Sequence, residues 1–150
     1  MLLKKNKRTK YQKDWYHQQK NLDKSGFYSY GQYLKSPTWQ KIKNYVSLLK
    51  ITECFICGGK YEVLHHLTYR YIRKYVSDVK IEKSLINILP LCRKCHDNIH
   101  NVNHSKKVSV VSATDELCKI HKKRLDKFFL YKKSKEINAK LNKVDISQPC

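Results

Sequence analysis

Acidic residues are scarce in this chain: 12 Asp and Glu stand against 32 Lys and Arg, a formal net charge of +20. A field of that size repels itself and is suited to a polyanionic partner, with nucleic acid the first expectation and an acidic membrane surface the second. Long apolar runs are missing too. No stretch approaches the roughly 20 residues of a membrane span. The opening Met-Leu-Leu turns at once to lysine, which leaves no apolar segment of a secretory signal. The expectation is a cytoplasmic protein in a reducing compartment, where paired cysteines hold metal more often than they form disulfides. No internal repeat is present beyond a duplicated Cys-x2-Cys pair. The stretch from about residue 50 to 104 is too short to bury a large interior, so it calls for a staple.

Residues 1–26 read as a basic N-terminal arm, with Lys4, Lys5, Lys7, Arg8, Lys10, Lys13 and Lys20 against Asp14 in its first twenty positions. Its lysines suit phosphates, and Tyr11, Trp15 and Tyr16 either pack on a partner or dock a frayed helix on the core. Ser36-Pro37 has the form of an N-cap followed by proline at the first helical position. Trp39, Ile42, Val46 and Leu49 follow at helical spacing, which predicts a helix of about 13 residues with Trp39 as a core anchor. Residues 61–67 alternate and predict a strand. Residues 85–89 predict a second, ended by Pro90, with a basic, tyrosine-rich loop or short helix over 68–84 between them. Val108-Ser109-Val110-Val111 reads as an edge strand or extended linker. Thr114-Asp115-Glu116 reads as the start of a basic helix to about residue 140, striped with Leu117, Ile120, Leu125, Phe128 and Phe129. The last ten residues are expected to be disordered. The expected division is therefore an arm over 1–26, a core with its lead-in helix over 27–104, and a basic C-terminal helix and tail over 105–150.

The chemistry concentrates in three short stretches. Cys54-x2-Cys57, followed by Gly58-Gly59, and Cys92-x2-Cys95 are two knuckles whose four thiolates satisfy tetrahedral zinc with no open position, a structural site. A two-cysteine, two-histidine finger fits worse, because the gap from Cys57 to His96 is far longer than the roughly 12 residues such a finger uses. A thioredoxin-type redox pair leaves the second knuckle unexplained. Cys118 and Cys150 fall outside the set. His96 and His100 are four apart, so on a helix they share one face and can bind one ion. His65 and His66 are adjacent on the predicted strand, so their side chains point to opposite faces. One can ligate metal while its neighbour serves as a general base near neutral pH.

Taken together these stretches resemble the HNH endonucleases of the ββα-metal fold, in the four-cysteine form common in phages and bacteria. The likeness runs from Tyr33-Leu34-Lys35-Ser36-Pro37-Thr38-Trp39 through Cys54-x2-Cys57 and Leu64-His65-His66-Leu67-Thr68-Tyr69 to Asn87-x8-His96-x3-His100, about 70 of the 150 residues. The resemblance implies a small zinc-stapled α+β core with flanking basic helices. It implies that His65, His96 and His100 hold a catalytic divalent cation (Mg²⁺, Mn²⁺, Ni²⁺ or Zn²⁺) and that His66 is the general base. Asn87 would hold the loop between the strands and orient the base by hydrogen bonding, while Cys54, Cys57, Cys92 and Cys95 hold structural Zn²⁺. The implied reaction is hydrolysis of double-stranded DNA, with 5′-phosphate and 3′-hydroxyl ends, by a wedge that enters the minor groove. Charge and position add Arg70, Arg73, Lys74, Arg93 and Lys94 as phosphate contacts. A homodimer or a protein partner is compatible with this, no membrane is involved, and a phage protein of this kind acts in the host cytoplasm. The competing expectation is a zinc-stapled DNA-binding module without catalysis; an RNA-binding or RNA-cleaving protein shares the charge signature.

Overall fold

Local chemistry accounts for where most helices begin. The computed structural model describes residues 10–144, in the order α1 (Lys10–Lys24), α2 (Tyr30–Leu34), α3 (Pro37–Leu48), β1 (Val63–His66), a 3₁₀ helix (Asp78–Leu85), β2 (Ile88–Leu91), α4 (Arg93–Ser105), α5 (Val110–Ile120) and α6 (Phe129–Val144). The fold is α+β. Ser36 caps α3 as expected, its hydroxyl accepting the Trp39 N–H at 3.2 Å, with Pro37 opening the helix. Ser29 caps α2 through the Gln32 N–H at 3.1 Å, and the Cys92 sulfur caps α4 through the Cys95 N–H at 3.4 Å. No helix among the described residues is long and apolar enough to cross a membrane.

β1 and β2 pair antiparallel with Val63 opposite Leu91, Leu64 opposite Pro90, His65 opposite Leu89 and His66 opposite Ile88. The second strand therefore starts later than expected and contains Pro90 instead of stopping at it. A two-stranded ribbon leaves each strand a free edge, where a residue without an N–H is tolerated. The Pro90 carbonyl is still used, accepting the Phe55 N–H at 2.8 Å. Leu85, expected in that strand, closes the 3₁₀ helix instead, and Asn87 at φ 68° makes the corner between them.

The C-terminal third departs most from expectation. Val110 and Val111 are not strand but the first turn of α5, capped by the Ser109 hydroxyl on the Ser112 N–H at 3.1 Å. Thr114 is thus inside the helix and fully buried, not its cap. The expected continuous helix is broken over residues 121–128. There Lys122 takes φ 55°, Ile120 is left exposed, and the Lys127 carbonyl accepts the Asn87 N–H at 2.8 Å. α6 runs on to Val144, so residues 141–144 of the expected tail are helical. Residues 145–150 and the first nine residues of the basic arm lie outside the described residues.

The pleat of the ribbon separates two cores. Leu22, Tyr33, Trp39, Ile42, Val46, Ile72, Leu85, Ile88 and Leu130 form one, drawn from α1–α3, the 3₁₀ helix, β2 and α6. Trp39 is an anchor here, as its helical spacing predicts. Ile56, Leu67, Leu89, Leu91, Ile99, Ala113 and Leu117 form the other under α4 and α5, together with Cys54 and Cys95. Ile88 faces the first core while Leu89 and Leu91 face the second, the alternation of a strand covered on both sides. Along α1, Leu22 is buried and the Tyr11 hydroxyl lies 3.2 Å from His104 Nδ1, whereas Trp15 is 62% exposed.

Candidate metal centres

The first knuckle is a tight hairpin. Cys54 N–H donates to the Gly59 carbonyl at 2.6 Å and Gly58 N–H returns to the Cys54 carbonyl at 3.0 Å, with Gly58 at φ 75°, a conformation that favours glycine. The second knuckle is the N-terminus of α4. They meet so that the sulfurs of Cys54, Cys57, Cys92 and Cys95 all lie within 4.8 Å of one another. Cys57 Sγ and Cys92 Sγ are 3.7 Å apart, against the separation of about 3.8 Å that a tetrahedron of 2.3 Å Zn–S bonds requires. None of the four is in a disulfide. Burial resists charge on Cys54, but hydrogen bonds from the surrounding backbone bring its thiol down to about 7. Burial, then the neighbouring sulfurs, pushes Cys95 up, and burial raises Cys92. Four thiols this close ionise together only with a cation among them. The residues fit zinc. Cys118 is a buried free thiol apart from the cluster.

A second cluster begins on α4 at the residue after Cys95. His96 and His100 lie one turn apart with their Nε2 atoms 3.2 Å from each other, close to the about 3.4 Å between two nitrogens on one tetrahedral ion. His65 projects from β1 toward them, its ring centroid 5.4 Å from that of His96 and 5.7 Å from that of His100. One ligand nitrogen from each lies within 4.8 Å of the others. Burial first, and the neighbouring imidazoles second, hold His65 and His100 below the ordinary histidine range, so both are in the neutral, ligating form at neutral pH. His96 Nδ1 is buried without a hydrogen bond; the Asp97 carboxylate stands 3.5 Å away, outside bonding geometry. This donor set also fits a divalent cation, and with three protein ligands it leaves a coordination position open. Thr114 of α5, whose Oγ1 lies 3.2 Å from His65 Nε2, was not legible as part of this cluster.

His66 points the other way, as alternation along a strand requires. Its ring sits among Tyr30, Tyr33 and Trp39 at centroid distances of 5.6, 5.5 and 4.8 Å. The Tyr30 hydroxyl is 2.8 Å from Nδ1 and the Tyr33 hydroxyl 3.3 Å from Nε2. Burial drives its pKa down to about 3, and raises both tyrosines above their ordinary range. Tyr69 stacks on Tyr30 at 4.5 Å and 13°. Asn87 does not orient His66: its side-chain N–H donates to Thr68 Oγ1 at 2.7 Å, and both ring nitrogens of His66 face tyrosine hydroxyls instead.

A cleft of about 520 Å³ brings His65, His66, His96 and His100 together with Arg93 and Tyr69 along its lining. The remaining basic candidates are spread out. Arg70 lines a second cleft of about 870 Å³ with Tyr71, Asn87, Arg124, Lys127 and Lys132. Arg73 turns back on its own loop, donating to the carbonyls of Arg70 and Ile72 at 3.0 and 2.9 Å. The Lys74 stem packs at Gly26, where an added Cβ would lie 3.1 Å from its Cδ. Lys94 is exposed on α4. Sequence reasoning missed Arg124, Lys127 and Lys132 as cleft residues because they read as one side of an unbroken helix. No protein-family model, curated protein sequence or solved structure matches the chain, so its chemistry is read from these two clusters.

Proposed function

We propose that the protein is a metal-dependent DNA endonuclease of the HNH type, in which β1, β2 and α4 form the ββα-metal unit. One observation carries the reading: a closed set of four sulfurs and an open set of three imidazoles share the same helix. The first set has the composition of a structural staple and the second that of a hydrolytic centre. The net charge of +20 supports a polyanionic substrate.

In this reading Cys54, Cys57, Cys92 and Cys95 hold Zn²⁺, and His65, His96 and His100 hold the divalent cation. That cation supplies Lewis-acid stabilisation of charge developing on a phosphodiester. The chain's own residues do the rest. Arg93, on the cleft wall, holds a phosphate. Tyr30 fixes the His66 ring through Nδ1, and Nε2, with the longer contact, takes the proton of the attacking water. A base near 3 is poorly matched to water at neutral pH; a phosphate anion seated beside it favours the imidazolium and raises it.

The enclosed His66 is also the observation that favours the second reading, a zinc-stapled DNA-binding module without catalysis. Plasmid cleavage separates them. Zinc-loaded protein given Mg²⁺, Mn²⁺ or Ni²⁺ is expected to nick or linearise DNA, and His96→Ala and His66→Ala to lose that activity while keeping DNA affinity. Tight, salt-sensitive binding without cleavage by any ion rejects the nuclease.

A further inference from the structure

Thr114 belongs to α5, outside the cysteine and histidine stretches, and is fully buried. Its hydroxyl has one hydrogen. That hydrogen is engaged, since Oγ1 donates to the Val110 carbonyl at 2.7 Å within the helix. Toward His65 Nε2, 3.2 Å away, the oxygen can therefore only accept. Nε2 must then carry the ring proton, and a neutral imidazole protonated at Nε2 has its lone pair on Nδ1. His65 Nδ1 makes no hydrogen bond to any described residue. His65 is itself only 2% exposed.

We infer that Thr114 is a positioning residue for the cation centre: by accepting the Nε2–H of His65 it fixes the tautomer and reserves Nδ1 for a divalent ion shared with His96 and His100. This rests on the three histidines being a metal centre. Ligating histidines are held this way by an acceptor on their other nitrogen, and loss of such a partner typically weakens metal binding about 10–100-fold. The acceptor here comes from a helix 49 residues away in sequence from its histidine. The C-terminal region is thereby part of the site and not only a basic appendage.

The test uses the full chain with the four-cysteine cluster loaded with zinc and Co²⁺ as the probe. Nitrogen-15 spectra of the histidine rings before cobalt is added are expected to show His65 protonated at Nε2; an Nδ1–H tautomer overturns the inference with no variant needed. Thr114→Val, which keeps the shape and removes the acceptor, is expected to weaken Co²⁺ binding at the histidines about 10–100-fold. Thr114→Ser restores it to within about threefold by the same acceptor argument. Equal affinity in wild type and Thr114→Val, with the zinc content of both unchanged, overturns the inference alone. Wild-type protein that takes no cobalt at the histidines while retaining its zinc overturns the metal centre as well, and the two failures are thereby told apart.

Discussion

Replacing Cys57 by serine is expected to unfold one half of the molecule before the other. Cys57 is the exposed member of its cluster, so the change removes a thiolate with little loss of packing. The second core, in contrast, encloses Cys54 and Cys95 among Ile56, Leu89, Leu91 and Ile99. Apart from the metal, the first knuckle is tied down by few bonds: Phe55 N–H to the Pro90 carbonyl at 2.8 Å, Glu62 N–H to the Leu91 carbonyl at 2.9 Å, and Lys123 Nζ to the Phe55 carbonyl at 2.7 Å. At ~0.5–1.5 kcal/mol net for each, these supply ~1.5–4.5 kcal/mol. A structural zinc contributes ~10–16 kcal/mol, comparable with or above the whole ~5–15 kcal/mol stability of a domain. Loss of even ~5 kcal/mol lowers Tm by ~10–20 °C in a chain of this size. The first core holds no residue of the cluster. Hydrogen exchange followed by mass spectrometry is therefore expected to show α4 and α5 losing protection in Cys57→Ser, or after chelation, while α3 retains it. Unchanged melting and unchanged protection of α4 in protein shown to be free of zinc would refute the reasoning.

The second cleft gives a quantitative expectation on the nuclease reading: Arg70→Ala with Arg124→Ala removes two cations lining it, so the slope of log affinity against log salt for duplex DNA falls in magnitude by ~1.8. A slope equal to that of the wild type removes the cleft from the DNA path. Tyr30→Phe leaves His66 Nδ1 buried without its 2.8 Å partner and is expected to cost ~1–3 kcal/mol in urea unfolding; a neutral result means the ring turns to another partner. Glu82 is held below its ordinary 4.5, first by its hydrogen bond to Lys135. A lowered carboxylate contributes stability above its unfolded pKa and loses it as pH falls through the folded value. Glu82→Gln is therefore expected to flatten the decline of Tm below about pH 4.5, and an acid limb identical to wild type shows that the ion pair between the 3₁₀ helix and α6 carries no weight.

What could be read from the sequence was what nearby residues decide. Ser36 and Pro37 mark a helix start within two residues, and two Cys-x2-Cys pairs supply the four ligands of one metal site, whose sulfurs do lie within 4.8 Å of one another. The opposite orientation of His65 and His66 follows from the pleat alone. The misreadings came where a local signal was outweighed. Val108, Val110 and Val111 are β-branched and read as strand, yet Ser109 caps a helix whose apolar side has a core to fill. Pro90 reads as a stop, yet an outer edge accepts it. The partners of the histidines were beyond reach for another reason: Tyr30 and Tyr33 precede His66 by 36 and 33 residues, and Thr114 follows His65 by 49. No periodicity encodes a meeting over such separations.

The histidine doublet on β1 has a consequence for how the chain must be aligned as it folds. Shifting a strand by one residue turns every side chain to the opposite side of its sheet. Here such a slip would present His66 to α4 and turn His65 toward the tyrosines, so each side would still receive an imidazole and the doublet itself could not reject the error. Selection of the proper frame falls to the ends of the ribbon. Glu62 N–H bonds to the Leu91 carbonyl at one end and Leu67 N–H to the Asn87 carbonyl at the other, at 2.9 and 2.8 Å. A single residue inserted between Glu62 and Leu67 would set these two anchors against each other.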